Sequence, residues 1–158
     1  SIGAPRARTD LARSWGATHT INIEEASDPR ERIENVKKWT GGRGADLVIE
    51  AAGPAAAFEE GLDMVRRGGR FLVIGQATAK TVAFSPRRVN IGMLNIIGVV
   101  SAHVEHFYKA MQFLKNNQHR FNFQEMVTNS YPLAGVNEAL EAMAAMREIK
   151  PAIIPSLG

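Results

Sequence analysis

The sequence predicts an α/β fold with a parallel sheet and helices on both of its faces. Short runs rich in β-branched residues alternate along the chain with stretches of helical periodicity. Two of these runs, residues 46–50 and 70–75, are largely apolar, as is typical of strands covered on both faces. Glycine-bearing turns separate them from the helices. Because crossovers between parallel strands are right-handed, the helices are expected on both faces of the sheet.

The first half of the chain contains clear helix boundaries. A helix is predicted over residues 5–15 and ends at Gly16, and residues 19–24 alternate like a strand with one wet face. Asp28 and Pro29 are suited to the cap and first position of the next helix, which ends at two glycines, 41 and 42. Its predicted buried stripe is Ile33, Val36 and Trp39.

Residues 51–54 turn the chain from the strand at 46–50 into another helix, which Gly68 and Gly69 are expected to close. We expect a strand at 70–75, a polar stretch at 76–90 and a strand at 94–101. The predicted buried face of the helix comprises Phe58, Leu62 and Val65.

The C-terminal third of the chain does not continue the alternation of strands and helices. A helix is predicted over residues 104–116, an irregular segment over 121–132, a last helix after it, and an extended tail at 151–155. The side chains expected to be buried on these two helices are Phe107, Met111, Leu114, Val136, Leu140 and Met143.

Composition excludes several classes of protein. The chain has 158 residues, 45% of them hydrophobic, which suits one folded domain and excludes wholesale disorder. It has no cysteine, which excludes disulfides, thiolate metal sites and a cysteine nucleophile. No apolar run approaches the roughly 20 residues of a membrane span, and no signal-peptide pattern follows Ser1. We therefore expect a cytoplasmic chain without a membrane partner, whose upstream part is missing.

Three segments in order resemble one family of enzymes. Residues 8–17 read R-T-D-L-A-R-S-W-G-A, residues 44–53 read G-A-D-L-V-I-E-A-A-G, and residues 68–75 read G-G-R-F-L-V-I-G. Together they resemble the cofactor-binding domain of medium-chain, zinc-type alcohol dehydrogenases, and the closing stretch from Tyr131 is similar too. The resemblance covers essentially the whole chain.

This resemblance implies a Rossmann-like fold whose first strand and glycine-rich loop are absent from the chain. Residues 1–102 would form the dinucleotide-binding domain, and residues 103–158 would return towards a missing catalytic domain. The glycines at 41, 42 and 44 lack the G-x-G-x-x-G spacing and precede a strand. The family's zinc ligands would lie upstream, so we expect no catalytic residue, no metal ligand and no turnover in this chain.

Ligands of dinucleotide folds bind beyond the carboxyl ends of parallel strands, where small side chains leave backbone groups free. The resemblance assigns the nicotinamide and its ribose to three such ends and assigns the pyrophosphate to Lys150. The alternatives are ordinary turns before helices, and a solvated charge at Lys150. The candidate residues at the three strand ends are Ala51, Ala52, Gly53, Gly75, Gln76, Val99, Val100 and Ser101.

The choice between NAD and NADP depends on the end of the family's second strand, where an acidic residue selects NAD. Here that position is Gly3, and Arg6 and Arg8 follow it. Guanidinium groups bind phosphate in a bidentate manner, which favours NADP slightly. Arg8 also matches a basic position of NAD-dependent members, so NAD and NADP both remain open.

Two other kinds of site are considered. His103 and His106 are three residues apart at a helix start, but they do not form H-E-x-x-H, and a solvated helix terminus is expected. The arginines could contact nucleic acid, but no aromatic residues are interleaved with them, and no nucleic-acid partner is expected. These arginines are Arg66, Arg67, Arg70, Arg87 and Arg88.

Self-association is expected through residues 94–101, because an apolar strand at a sheet edge tends to pair. In the family, the corresponding strand pairs with its twin across a two-fold axis. The sequence therefore predicts the cofactor-binding part of an NAD(P)-dependent alcohol dehydrogenase, an oxidoreductase, that forms a homodimer. The alternative is a non-catalytic Rossmann-like remnant that acts as a dimerisation or interaction module.

Overall fold

The computed structural model describes residues 1–75 and 80–157 of the chain, and within them every pair of adjacent strands is parallel. This confirms the predicted α/β class. In chain order the elements are β1 (Ile2–Gly3), α1 (Arg6–Ser14), β2 (Ile21–Asn22), α2 (Pro29–Trp39), β3 (Ala45–Glu50), α3 (Ala55–Met64), β4 (Val65–Val73), α4 (Pro86–Gly92), β5 (Asn95–Gly98), α5 (Val104–Asn117), β6 (Val127–Tyr131), α6 (Val136–Ala144) and β7 (Lys150–Ile153). Two short 3-10 helices are Phe123–Met126 and Leu133–Gly135.

The chain divides into two compact units. One comprises residues 27–101, and the other combines residues 1–26 with the C-terminal stretch that begins at Ala102. Strands β3, β4 and β5 form a sheet in that order in the first unit, while β1–β2 and β6–β7 form two-stranded sheets in the second. The assignment of dinucleotide binding to residues 1–102 stays a prediction.

The core of the 27–101 unit is centred on Phe71, which is fully buried in the middle strand. The ring of Phe58 on α3 lies 5.1 Å from it, and Leu62 on the same helix is buried. Gly61 lets the helix approach, because a Cβ there would lie 2.7 Å from the Phe71 ring. Buried Leu62 and half-buried Phe58 thus confirm the predicted inward face of the helix, whereas Val65 is buried but belongs to β4.

The prediction that the strand at residues 46–50 is buried on both faces is wrong. Leu47 and Ile49 are 48% and 53% exposed, although Glu50 is buried. Side chains alternate across a strand, and Val48 faces α3, so Leu47 and Ile49 point to the opposite face. Trp39 of the predicted α2 stripe is exposed as well.

Two element boundaries differ from the prediction. Helix α3 ends at Met64 rather than at Gly68 and Gly69, because Val65 is already extended and begins β4. A Cβ at Gly69 would lie 2.7 Å from the Val65 side chain, so this glycine permits a tight turn within the strand rather than ending a helix.

Helix α4 begins within residues 76–90, for which the prediction named a polar stretch and no helix, and it extends to Gly92. Its N-terminus carries a recognisable signal, because Ser85 occupies the cap position and Pro86 the first turn. At α2, by contrast, the predicted start is confirmed, since the Asp28 carboxylate accepts a hydrogen bond from the Arg30 amide at 2.9 Å.

In the other unit, α1 packs through Trp15, whose ring centroid lies 5.5 Å from those of Phe121 and Phe123. Strand β6 lies in the segment predicted to be irregular, where it pairs in parallel with β7. The extended tail is confirmed as β7, and the predicted strand at residues 19–24 is confirmed as the shorter β2.

The predicted inward faces of the last two helices are wrong. Phe107, Met111 and Leu114 on α5 are exposed, Phe107 by 63%. On α6, small side chains occupy the buried face, and Leu140 and Met143 are exposed. Helical spacing identified residues that share a face, but nothing in the described residues covers that face. No helix in residues 1–75 and 80–157 combines the length and apolarity needed to cross a membrane.

Candidate functional site

The carboxyl ends of β3, β4 and β5 meet at one edge of the three-stranded sheet, since the strands are parallel. Gly53 and Gly75 make the closest backbone approach at this edge. A Cβ at Gly53 would lie 2.6 Å from the Gly75 carbonyl oxygen, and Gly53 has a φ of +94°. A Cβ at Gly75 would lie 2.6–2.8 Å from backbone atoms of residues 51–53. Only glycine fits at either position without a backbone shift.

The buried Glu50 holds the turn at residues 51–53 in place through hydrogen bonds. Its side chain is 4% exposed, and its Oε1 accepts hydrogen bonds from the amides of Ala52 at 2.8 Å and Gly53 at 2.7 Å. Its peptide oxygen accepts from the amides of Ile74 at 2.9 Å and Gly75 at 3.0 Å. Glu50 therefore holds together two of the three strand ends. Glu50 was not among the predicted site residues, although an acid that ends an apolar strand and precedes three small residues was a visible signal.

The third strand end continues the same edge. The Val99 amide donates to the Val73 carbonyl at 3.0 Å, and Val100 is 94% exposed. Ser101 has a φ of +57°, which turns the chain away from the strand direction. The structure therefore brings Ala51, Ala52, Gly53, Gly75 and Val99 together at one edge, while predicted Gln76 lies outside the described residues.

The edge offers small side chains and exposed backbone, because Ala51 and Ala52 are both exposed. Small side chains at such an edge leave room for a ligand, because backbone groups can approach it closely. The close contact between Gly53 and Gly75 is the local feature that keeps side chains out of this space.

The predicted residues of the other unit have well-defined partners. The Arg6 guanidinium donates to Glu25 Oε1 at 2.6 Å, and its Nε lies 3.6 Å from Asp10 Oδ2. At Gly3, the end of β1, a Cβ would meet nothing within 4 Å.

Arg8 serves a different contact. Its guanidinium donates to the carbonyl oxygens of Ala4 at 3.2 Å, Glu148 at 3.4 Å and Ile149 at 3.0 Å, which ties α1 to the start of β7. Lys150, the first residue of β7, is exposed.

Next to Lys150 lies a buried carboxylate that the sequence analysis did not identify. The Glu148 side chain accepts hydrogen bonds from Thr128 Oγ1 and Asn129 Nδ2, each at 3.0 Å, and from the Tyr131 hydroxyl. The Tyr131 bond is the main cause that lowers the pKa of Glu148, and the same bond raises the pKa of Tyr131. The cluster locks β6 to the segment that precedes Lys150.

The two histidines of the H-V-E-H segment serve a helix terminus. The His103 amide donates to His106 Nδ1 at 3.1 Å, at the first turn of α5. Across residues 1–75 and 80–157, no three or more histidine, aspartate or glutamate side chains are grouped so that they could hold a metal ion.

Comparison with known proteins gives the family. The sequence model of the family described as zinc-binding dehydrogenase matches residues 4–116. The chain belongs to the zinc-binding dehydrogenase family. Its relatives include 5-exo-hydroxycamphor dehydrogenase of Pseudomonas putida, 37% identical over 151 residues, which are 95% of this chain and 42% of the relative. Sorbitol dehydrogenase of Bacillus subtilis is 29% identical over 134 residues, which are 85% of this chain and 36% of that protein.

Among solved structures, the chain resembles the alcohol dehydrogenase of Thermotoga maritima with a TM-score of 0.84 and 30% identity. The match covers 98% of this chain and 42% of that chain. This zinc-binding dehydrogenase chain therefore spans less than half the length of such relatives. The resemblance to the C-terminal, cofactor-binding part of zinc-type alcohol dehydrogenases and the Rossmann-like fold are both confirmed.

Proposed function

We propose that this chain binds a nicotinamide dinucleotide as part of an NAD(P)-dependent, zinc-type alcohol dehydrogenase. The observation that carries the proposal is the close contact of Gly53 with Gly75 at the carboxyl edge of the parallel sheet. The bound cofactor would accept or donate the hydride, and zinc held by residues outside this chain would polarise the alcohol oxygen. The chain by itself is then expected to bind cofactor without turnover.

At the carboxyl edge, each residue has a proposed role that follows from its position. Ala51, Ala52 and Gly53 leave room for the ribose and nicotinamide, and Glu50 holds their amides in place. Val99 and Ser101 would present backbone groups to the nicotinamide carboxamide, which the family resemblance supports. Gly75 keeps a side chain out of the same space.

In the other unit, the proposed contacts are ionic. Gly3 offers no carboxylate to repel a 2′-phosphate, and Arg6, three residues later in the chain, is exposed. A phosphate on Arg6 would replace the Glu25 carboxylate, whereas Arg8 stays engaged by three carbonyl groups. Lys150 is proposed to reach the pyrophosphate. On these grounds NADP is favoured slightly over NAD.

The test is a titration of the purified chain with NADPH and NADH, followed by nicotinamide fluorescence. Saturable binding is expected. Arg6→Gln should weaken the affinity for NADPH by about tenfold and change the affinity for NADH by less than about twofold. Arg30→Gln is the control, since Arg30 is an exposed arginine on α2 and lies outside the residues proposed to contact either nucleotide. Equal loss of both nucleotides in Arg6→Gln would contradict the assignment to the 2′-phosphate.

A second candidate, a dimerisation module, is favoured by the exposed strand β5. It pairs only with β4 among the described strands, and Ile96, Ile97 and Val99 are all exposed along it. We propose that two copies pair through residues 94–101. Sedimentation velocity should show a dimer that Ile97→Lys dissociates, whereas Met93→Lys, at an exposed site just before the strand, leaves it intact. A folded dimer that binds neither nucleotide would favour the module over the cofactor-binding function.

A further inference from the structure

A basic cleft lies at the amino edge of the β3–β4–β5 sheet. Its volume is about 630 Å³, and its lining includes residues of α2, the turn before β3, the α3–β4 junction and α4. Five cationic side chains and one carboxylate line it. They are Lys37, Arg43, Arg67, Arg87, Arg88 and Asp63.

The cleft is separate from the candidate dinucleotide site. Arg43 lies two residues before β3, Arg67 lies near the start of β4, and Leu94, which also lines the cleft, immediately precedes β5. The lining therefore lies where the three parallel strands begin, whereas Gly53 and Gly75 lie where two of them end. Opposite edges of one sheet carry the two sites.

The positive charge of the cleft is largely uncompensated. Its one carboxylate, Asp63, forms an ion pair with Arg88. The neighbouring Arg66 bonds Asp46 at 2.5 Å and does not line the cleft, although the same carboxylate also attracts Arg43 over a longer distance. No carboxylate of residues 1–75 or 80–157 lies within 4 Å of the charged nitrogens of Lys37, Arg43 or Arg67, and the same holds for Arg87. Like charges converging in a concave surface raise the local concentration of anions.

The residue types indicate what kind of anion fits. Guanidinium groups pair with phosphate oxygens through two parallel hydrogen bonds, so an arginine-rich cleft suits phosphate. Four cations without an ion-pair partner among the described residues match several adjacent phosphates better than one. We propose that this basic cleft binds an oligophosphate, such as inorganic tripolyphosphate or the triphosphate of a nucleotide.

The probe is inorganic tripolyphosphate, which lacks the adenine and ribose that a dinucleotide site would recognise. Isothermal titration of the whole chain should show saturable binding at about 0.05 M salt that weakens severalfold at about 0.3 M. Arg67→Gln should weaken the affinity by about tenfold or more. Arg70→Gln is the matched control on the same strand, because Arg70 is exposed and does not line the cleft, and it should change affinity less than about twofold.

A second pair of variants tests the proposal in case Arg67→Gln does not fold. Lys37 lines the cleft and Lys38, the next residue on α2, does not, so only Lys37→Gln should weaken tripolyphosphate binding. NADH titrations should be unchanged in both variants, which separates this proposal from the proposed function. ATP that binds more tightly than tripolyphosphate would show that the nucleoside is recognised and would identify a nucleotide as the source of the phosphates, whereas weaker binding of ATP would assign the cleft to the free oligophosphate.

Three outcomes would overturn the proposal. The first is no saturable binding of tripolyphosphate at low salt. The second is an equal loss in the cleft variants and their controls, which would indicate diffuse attraction to a basic surface. The third is a single-stranded oligonucleotide that binds more tightly than tripolyphosphate and is weakened by Arg70→Gln as well, which would replace the cleft with a nucleic-acid surface.

Discussion

Replacing Glu50 by glutamine tests whether one buried carboxylate holds the edge on which the proposed cofactor site depends. Glutamine has nearly the same shape, so Glu50→Gln removes the charge without opening a cavity. Both amides that bond Oε1, those of Ala52 and Gly53, would then donate to a neutral oxygen. The variant also places an NH₂ donor at a position that is 4% exposed.

The size of the effect follows from these two bonds. A hydrogen bond to a charged group stabilises a protein by about 1 kcal/mol more than a neutral one, so two bonds correspond to about 2 kcal/mol. The free energy of unfolding should fall by up to that amount, since glutamine also avoids the cost of burying a charge. If the loss is confined to the turn, the exchange of the Ala52 and Gly53 amides should rise roughly 30-fold instead.

Urea unfolding and amide hydrogen exchange measure the two quantities. Glu34→Gln is the control, because Glu34 is exposed on α2 of the same unit, and it should change stability by less than about 0.5 kcal/mol. Unchanged stability together with unchanged exchange at Ala52 and Gly53 in Glu50→Gln would refute the reasoning. Dinucleotide affinity should fall in parallel with the loss of protection, because the same turn would contact the ribose.

Two further predictions concern other buried charges. Arg32→Met should destabilise the protein by about 3 kcal/mol in urea unfolding, because it leaves the Glu60 carboxylate without the buried guanidinium that bonds it at 2.6 and 2.7 Å. Adding Glu60→Met should restore part of the lost stability. A double variant no more stable than Arg32→Met would contradict this prediction. The hydrogen bond from Tyr131 helps to lower the pKa of Glu148 in the folded protein below its ordinary value. The bond therefore stabilises the fold at pH values above the ordinary pKa of a glutamate, and this stabilisation is lost as the pH falls through the lowered pKa of the folded state. Tyr131→Phe should therefore move acid unfolding, followed by circular dichroism, to higher pH, whereas Tyr108→Phe at an exposed position should leave it unchanged.

Local signals predicted the elements that depend on a few adjacent residues. The start of α2 follows from Asp28 and Pro29, which act within one turn of helix, and the structure has the cap that they predict. Ser85 and Pro86 carry the same kind of signal at the start of α4, which the hydrophobic pattern alone does not predict. At Gly69 the local signal was misleading, because a glycine can permit a tight turn in a strand as well as end a helix.

The candidate site was predictable only in part for a related reason. The small residues at the ends of β3 and β4 could be placed at one edge from the parallel topology alone. Their contact depends on the approach of Gly53 to Gly75, 22 positions apart in the chain, and on the rotamer that turns the Glu50 carboxylate back to two amides. Neither property has a periodic signature.

The α/β class, the order of most elements and the family are predictable from the sequence alone, because they depend on adjacent residues and on motifs of fixed spacing. Which faces are covered and which charges are paired depends on tertiary contacts. On α5, Phe107 and Met111 share a face, as their spacing predicts, yet both are exposed. Arg32 can be buried because the Glu60 carboxylate, 28 residues away in the chain, accepts hydrogen bonds from its guanidinium. Periodicity shows which residues share a face, but burial depends on what packs against that face, and that partner is distant in the chain.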